Sequence, residues 1–109
     1  MEKKEGEAMK KVEIRVLDCT VNRKLAPLYG QPDITPCPCM KEGDVFVCEE
    51  GTKPEGFCES AWQAIYPYVF AMGHGAPGFW LEWSIENRST VLCCNDGLRP
   101  VVFLVKVLD

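Results

Sequence analysis

The sequence predicts an α+β fold, a single small domain in which a mainly antiparallel sheet is covered by one principal helix. Apolar and charged residues alternate between Val12 and Val16, and apolar residues recur at steps of three and four from Trp62 to Met72. An Asp-Gly dipeptide at positions 96–97 lies between two apolar runs. These patterns are typical of a half-buried strand, an amphipathic helix and a β-hairpin.

Composition limits the function classes. The chain has 109 residues, 47% of them apolar, which is enough for one core that removes about two thirds of the unfolded surface from water. Residues 1–8 are charged and small and predict a solvated tail, so the domain is expected over 9–109. A net charge of −4 without basic runs argues against nucleic acid as a partner.

Cellular location follows from what the sequence does not contain. It has no run of about 18 apolar residues and no secretory signal pattern, so we expect no membrane association and a cytoplasmic location. A protein partner and a homo-oligomer both remain open.

The first half of the domain predicts short elements. A strand is expected from Lys11 to near Cys19, followed by a short helical turn that Asn22 caps and that runs through Leu28. Gly30 and the prolines that follow should end this turn.

A proline-rich segment comes next. Residues 32–38 contain three prolines and predict a rigid loop that presents Cys37 and Cys39. A turn at residues 42–44 leads into a strand at 45–49, and 51–56 is a second loop.

The best helix is predicted to begin at Ser60. Ser60-x-x-Gln63 fits a capping box, which would leave Cys58 beside the helix N-terminus. Pro67 removes a backbone hydrogen bond inside this helix, so we expect a kink or a division into two helices. Residues 73–78 should end it.

The last third predicts strands. Residues 79–85 are a candidate strand, and 90–94 and 101–108 should form a hairpin around the Asn-Asp-Gly turn at 95–97. Because both hairpin strands are apolar at most positions, we expect the hairpin to lie centrally and to be covered on both faces.

Seven cysteines are the most informative chemical feature. In a reducing cytosol an odd number of cysteines favours free thiols or metal ligands over structural disulfides. Cys19 and Cys48 lie in strand-like runs and are predicted to be core residues. The other five flank turns: Cys37, Cys39, Cys58, Cys93 and Cys94.

The leading hypothesis is a cysteine-ligated metal site, because thiolates are the soft ligands that bind zinc and iron–sulfur clusters. The predicted ligands are Cys37, Cys58, Cys93 and Cys94, with Cys39 and His74 as optional additions. Neighbours in an extended strand point to opposite faces. Cys93 and Cys94 therefore share one site only if a bulge or the turn rotates one of them; otherwise one is a ligand and the other is core.

Two other function classes stay open, and so does the question of whether the chain is an enzyme. In a thiol redox enzyme, Cys58 at the helix N-terminus would be the attacking thiolate and Cys93 or Cys94 its resolving partner. His74, the single histidine of the sequence, is the candidate base. In an interaction or structural protein, the thiols would only fill the core.

Two further features have a functional and a structural interpretation. Arg99 could hold an anion, or it could tie down its turn through a carboxylate such as Asp96 or Glu55. Six aromatic residues could line a pocket or form the core: Trp62, Tyr66, Tyr68, Phe79, Trp80 and Trp83.

Taken together, several motifs resemble a family of small uncharacterised cysteine-containing proteins that is found chiefly in anaerobic bacteria and archaea. They are Cys37-Pro38, Lys41-x-Gly43-Asp44-x-Phe46, Pro54-Glu55-Gly56-Phe57-Cys58, Ala61-Trp62, Ile65-Tyr66-Pro67 and Cys93-Cys94-x-Asp96-Gly97-Leu98-Arg99-Pro100-Val101. The match runs from about Lys10 to the C-terminus. The resemblance implies recurring thiols at Cys37, Cys58, Cys93 and Cys94, and an anaerobic cytosol that tolerates oxidation-sensitive thiols or a cluster. It implies no particular reaction.

Overall fold

A computed structural model describes residues 8–108, so residues 1–7 of the predicted tail lie outside the described residues. The protein is α+β: a four-stranded antiparallel sheet in the order β2-β1-β4-β3, with one main helix against it. The elements are β1 Val12–Cys19, α1 Ala26–Tyr29, β2 Val45–Cys48, α2 Glu59–Gly73, β3 Ser89–Cys93 and β4 Val101–Val107. Within residues 8–108, no helix has both the length and the apolar character needed to cross a membrane.

The core lies between α2 and one face of the sheet. In the register, Ile14 of β1 is opposite Phe46 of β2 and Val105 of β4, which places these three side chains in one row. Ile14 and Val105 are fully buried, as the alternating pattern of β1 predicts. The helix covers this face with buried residues spaced three and four apart: Ala61, Ile65, Val69 and Met72.

A β-bulge changes the direction of β1 near its end. Val16 is opposite Phe103 and Asp18 is opposite Val102, so Leu17 is an extra residue in this strand. The bulge brings Cys19 opposite the buried Val101, and the side chain of Cys19 packs against the core. The end of β1 therefore contributes a thiol to the same end of the sheet as the start of β4.

The short elements lie where they are predicted, but the N-cap of α1 is Leu25, without a side-chain cap hydrogen bond, and not Asn22. Asn22 accepts a hydrogen bond from the backbone N–H of Leu25 (3.1 Å) through Oδ1 just before α1, and the N–H of Gly30 donates to the carbonyl of Ala26 (2.8 Å) at its end. The turn before β2 contains Gly43 at a φ of +93°, a conformation that favours glycine.

Helix α2 corrects the predicted start, and of the two effects predicted for Pro67, a kink or a division, it excludes the division. It begins at Glu59 with Cys58 as N-cap, and it has no side-chain cap hydrogen bond from the described residues, so the capping box at Ser60 is wrong. The first turn is instead set by the N–H of Trp62, which donates to the carbonyl of Cys58 (2.9 Å). Nor is the helix divided at Pro67. Pro67 has no N–H to donate to the carbonyl of Gln63. Both residues are exposed, so water can hydrogen-bond to that carbonyl.

The predicted strand at 79–85 is also wrong, because the segment consists of turns. Gly78 has a φ of +123° and Trp80 a φ of +56°, neither of which fits an extended strand. The N–H groups of Trp83 and Ser84 both donate to the carbonyl of Trp80 at 3.1 Å, which closes the turn. A Cβ at Gly78 would lie 2.9 Å from the carbonyl oxygen of Ser89, so this segment packs closely on the start of β3.

The hairpin forms as predicted, but its predicted coverage is wrong. β4 is central, whereas β3 is an edge strand of the sheet. On the face opposite α2, Val102 and Leu104 are half-buried and Val91 is 54% exposed. The reason is that α2 is the sole long helix between residues 8 and 108, and one helix covers one face.

Candidate functional site

Three of the predicted ligands, Cys37, Cys58 and Cys94, line one cavity of about 110 Å³. It lies at the end of the sheet where β3 ends and β4 begins. The other lining residues are Met40, Ser60, Ala61, Asp96, Arg99 and Val101. We call this space the thiol cavity.

Three separate parts of the chain deliver these thiols. Cys37 lies in the proline-rich segment, Cys58 is the N-cap of α2, and Cys94 directly follows β3. The position of Cys58 is fixed by its neighbour Phe57, which is buried with its ring 5.0 Å from that of Phe46 and 5.3 Å from that of Phe103. All three thiols belong to half-buried residues. They are therefore shielded by the core but not sealed within it.

The sulfur of Cys94 is held by backbone donors. It accepts hydrogen bonds from the N–H groups of Asp96 (3.4 Å) and Val101 (3.3 Å), while the N–H of Cys94 donates to the carbonyl of Val101 (3.0 Å). N–H groups directed at a sulfur complement negative charge, as they do around a thiolate that ligates a metal. The Cys94-x-Asp96 spacing is the one sequence signal from which part of this arrangement could have been inferred.

Cys93 lies elsewhere. Its residue is exposed and lines a different cleft, together with Tyr68, Trp80 and Asn95. Partial desolvation raises the pKa of the Cys93 thiol, and the charge of Cys94 adds to that effect. Of the two alternatives left open for the adjacent pair, the structure has the one in which strand alternation separates them. Cys93, a predicted ligand, does not line the thiol cavity, and it is at the surface and not in the core.

The optional ligands Cys39 and His74 both lie outside the thiol cavity. Cys39 is exposed, and a hydrogen bond with the side chain of Cys37 is the main cause of its raised pKa, followed by the charge of Cys37. His74 is the C-cap of α2, at the opposite end of the helix from Cys58, and its ring stacks on Phe70 with centroids 4.4 Å apart. Cys39 therefore adjoins a cavity thiol, whereas His74 belongs to another region.

The two cysteines that were predicted to be core residues differ in burial. Cys48 is fully buried, which confirms the prediction, and desolvation raises the pKa of its thiol. Cys19 is half-buried and its Sγ donates to the carbonyl of Met40 (3.5 Å). Burial is also the main cause of the raised pKa of Cys19, followed by the charge of Glu42.

Arg99 ties down its turn, as the structural interpretation predicts, and it does so through Asp96. Its Nε is 3.8 Å from Oδ2 of Asp96, and its Nη1 donates to the carbonyl of Thr35 (3.5 Å). Oδ1 of Asp96 accepts the backbone N–H groups of Leu98 and Arg99, each at 2.9 Å. These bonds connect the β3–β4 turn to the segment that carries Cys37.

The hydrogen bonds of Asp96 predict a pH-dependent contribution to stability. The N–H groups of Arg99 and Leu98 hold the pKa of Asp96 below its usual range. A carboxylate with a depressed pKa stabilises the fold above its unfolded pKa, near pH 4, and this stability is lost as the pH falls through the folded pKa. Asp96→Asn should therefore destabilise the protein at pH 7 by less than about 1 kcal/mol, because the side chain is 48% exposed.

The measurement is urea unfolding of both proteins between pH 7 and pH 3. The difference in unfolding free energy should be constant above about pH 5 and should shrink below pH 4. A difference that stays constant down to pH 3 would contradict this role of the carboxylate.

The aromatic residues divide between core and surface. Trp62, Tyr68 and Phe79 pack against the core, and the Tyr68 and Phe79 rings meet edge to face at 5.0 Å. Trp80 is 41% exposed and Trp83 73% exposed. The thiol cavity is lined by none of these six residues among those that the structure describes.

The donor chemistry of the thiol cavity suits a soft metal ion, but its side chains are not arranged around one. Among residues 8–108, no group of three or more His, Cys, Asp or Glu side chains has the arrangement of a metal site. Metal binding would require Cys37, Cys58 and Cys94 to move closer together.

Comparison with known proteins adds no relative: no family model, no curated protein and no solved structure matches the chain.

Proposed function

We propose that this protein binds a metal ion through Cys37, Cys58 and Cys94, with zinc as the first candidate. The observation that supports this function is the shared cavity: three thiols from distant parts of the chain line one space of about 110 Å³. Structural zinc sites use this type of ligand, and a cavity that holds a few waters has room for one ion.

The charge of the thiol cavity also suits a bound divalent metal ion. A divalent ion with three thiolates has a net charge of −1, and the guanidinium of Arg99 on the cavity wall offsets it. The backbone N–H groups at Cys94 add to this compensation. The carboxylate of Asp96 is already engaged with the turn and with Arg99, so a water or another thiol is the better candidate for a fourth ligand.

The segment that carries Cys37 is the part best suited to close the site. Zinc–sulfur bonds of about 2.3 Å require the sulfurs to lie roughly 3.8 Å apart. Cys58 is fixed by the buried Phe57 and Cys94 by two strands, whereas Cys37 lies on a connection outside the helices and strands. A shift of the proline-rich loop would bring the three thiols together without a change in the sheet.

The same thiols could hold an iron–sulfur centre in place of zinc. We infer a cytoplasmic setting and membership of the anaerobe family that the motifs resemble; the motifs themselves support that inference. A reducing, oxygen-poor cytosol keeps such thiols available for a metal.

The test is to purify the full-length protein without oxygen, measure bound zinc and iron, and record the visible spectrum. We expect one equivalent of zinc per chain and no visible absorption. Iron with charge-transfer bands would assign the site to an iron–sulfur centre. In either case Cys58→Ser should lose most of the metal. Absence of both metals, with no uptake on addition of zinc, would overturn the proposal.

A second candidate function, thiol exchange between Cys58 and Cys94, is favoured by their position in the same cavity. It predicts that alkylation is fastest at Cys58 and that mild oxidation links these two residues. Uniformly slow alkylation of all thiols, in a protein without metal, would instead indicate that the thiols only contribute to packing.

A further inference from the structure

The two thiols of the Cys37-Pro38-Cys39 segment differ in access. Cys37 is half-buried and lines the thiol cavity, whereas Cys39 is exposed. Only Pro38 separates the two residues in the sequence. One thiol thus reaches solvent while its partner faces the proposed metal site.

The backbone allows these two sulfurs to be joined. Residues separated by one position have Cα atoms at most about 7 Å apart, and Pro38 and Cys39 lie in a turn, which shortens that distance further. Disulfides span Cα distances of about 4.4–6.8 Å. The pair is therefore within reach of a disulfide without any change in the sheet or in α2.

We propose that Cys37 and Cys39 form a redox dithiol that exchanges with disulfides through the exposed Cys39, and that its oxidation withdraws Cys37 from the thiol cavity. The oxidant is a low-molecular-weight or protein disulfide, RSSR. The exchange does not depend on a bound metal. The consequence for the metal does rest on the proposed function.

The exchange has two steps. The Cys39 thiolate attacks one sulfur of RSSR, which forms a mixed disulfide and releases one RS⁻. The Cys37 thiolate then attacks the Cys39 sulfur, which forms the Cys37–Cys39 disulfide and releases the second RS⁻. The protons lost from the two cysteines match those that the two leaving thiolates take up, so the protein dithiol is oxidised and RSSR is reduced to two RSH.

The local environment supports this order of events. Cys39 is exposed, whereas Cys37 is half-buried and faces the thiol cavity. The exposure of Cys39 therefore makes it the entry point. Cys58 lines the same cavity as Cys37 and is the competing partner for the second step.

The full-length protein allows a direct test with oxidised glutathione as RSSR. After an acid quench and alkylation, trypsin releases the peptide Leu25–Lys41, which contains Cys37 and Cys39 and no other cysteine. In the wild type this peptide should carry no alkyl group and should be lighter by two hydrogen atoms than the free dithiol peptide. Cys37→Ser should retain a glutathione adduct on Cys39, because the second step is blocked. Cys93→Ser, which removes an exposed thiol in another cleft, should not change the result.

The outcomes separate this inference from the metal proposal. If the protein binds zinc, oxidised glutathione should release it at least about tenfold faster from the wild type than from Cys39→Ser. A protein that forms the Cys37–Cys39 disulfide but never binds metal would uphold the exchange and overturn the metal site. A Leu25–Lys41 peptide that is alkylated at both cysteines while Cys93 is glutathionylated, or a disulfide between Cys58 and either cysteine of this peptide, would overturn the exchange.

Discussion

Replacing Phe103 with alanine is expected to lower the free energy of unfolding by about 3–5 kcal/mol, a large part of the total for a domain of this size. Phe103 is fully buried in the central strand β4, opposite Val16 of β1 and Leu92 of β3. Its ring also packs on Phe57 with centroids 5.3 Å apart. The substitution removes contacts to three elements at once, and the surrounding sheet cannot collapse into the cavity that is left.

Denaturant unfolding measures this change, and Phe70→Ala is the matched control. Phe70 lies on the outer side of α2, is 46% exposed, and has ring contacts to Tyr66 and His74 alone among its described neighbours. Phe70→Ala should lower the free energy of unfolding by less than about 1 kcal/mol. Equal losses for the two variants would mean that the core is not centred on Phe103. Because Phe57 also positions Cys58, the Phe103 variant should in addition weaken any metal binding.

The parts of the fold that the sequence predicts well are those set by local patterns. Strand β1 follows from alternation, the turn before α1 from the Asn22 side chain, and the β3–β4 hairpin from the turn at 95–97. Each depends on residues within a few positions of one another. Local rules fail where tertiary packing competes with them. The packing of Phe57 in the core fits a helix that begins at Glu59, and it does not fit a helix that begins after a cap at Ser60.

Features that depend on contacts between distant parts of the chain could not be predicted from the sequence. Apolar residues in β3 and β4 predict burial on both faces, but how many helices cover a sheet is a property of the whole chain. The segment 79–85 is as apolar as a strand, and the positive φ values at Gly78 and Trp80 are set by its packing on β3.

The candidate site divides in the same way. The separation of Cys93 from Cys94 follows from strand periodicity, and the place of Cys58 at the start of α2 follows from the helix pattern. No local pattern indicates that Cys37, 21 positions before Cys58, lines the same cavity. That proximity depends on how the loop before β2 crosses the end of the sheet.

The adjacent cysteines provide the sharpest test of the thiol cavity. If zinc binds there, Cys94→Ser should weaken its binding by at least about 100-fold, because a hard, protonated hydroxyl replaces a soft thiolate ligand. Serine retains an oxygen that can accept the N–H groups of Asp96 and Val101, so the turn should keep its structure. Cys93→Ser changes the neighbouring residue in the same way, but in a different cleft, and should alter the affinity by less than about threefold.

Competition with a chromophoric zinc chelator, in the absence of oxygen, gives both affinities, and thermal unfolding of the metal-free proteins verifies that each variant folds. Zinc at 100 times its dissociation constant should stabilise the wild type and Cys93→Ser by about 2.7 kcal/mol, and Cys94→Ser by less than about 0.5 kcal/mol. Equal losses in both variants would indicate that Cys93 also ligates the metal, which requires the end of β3 to rotate on binding. An effect confined to Cys93→Ser would place the metal in the cleft beside Tyr68 and Trp80 and exclude the thiol cavity.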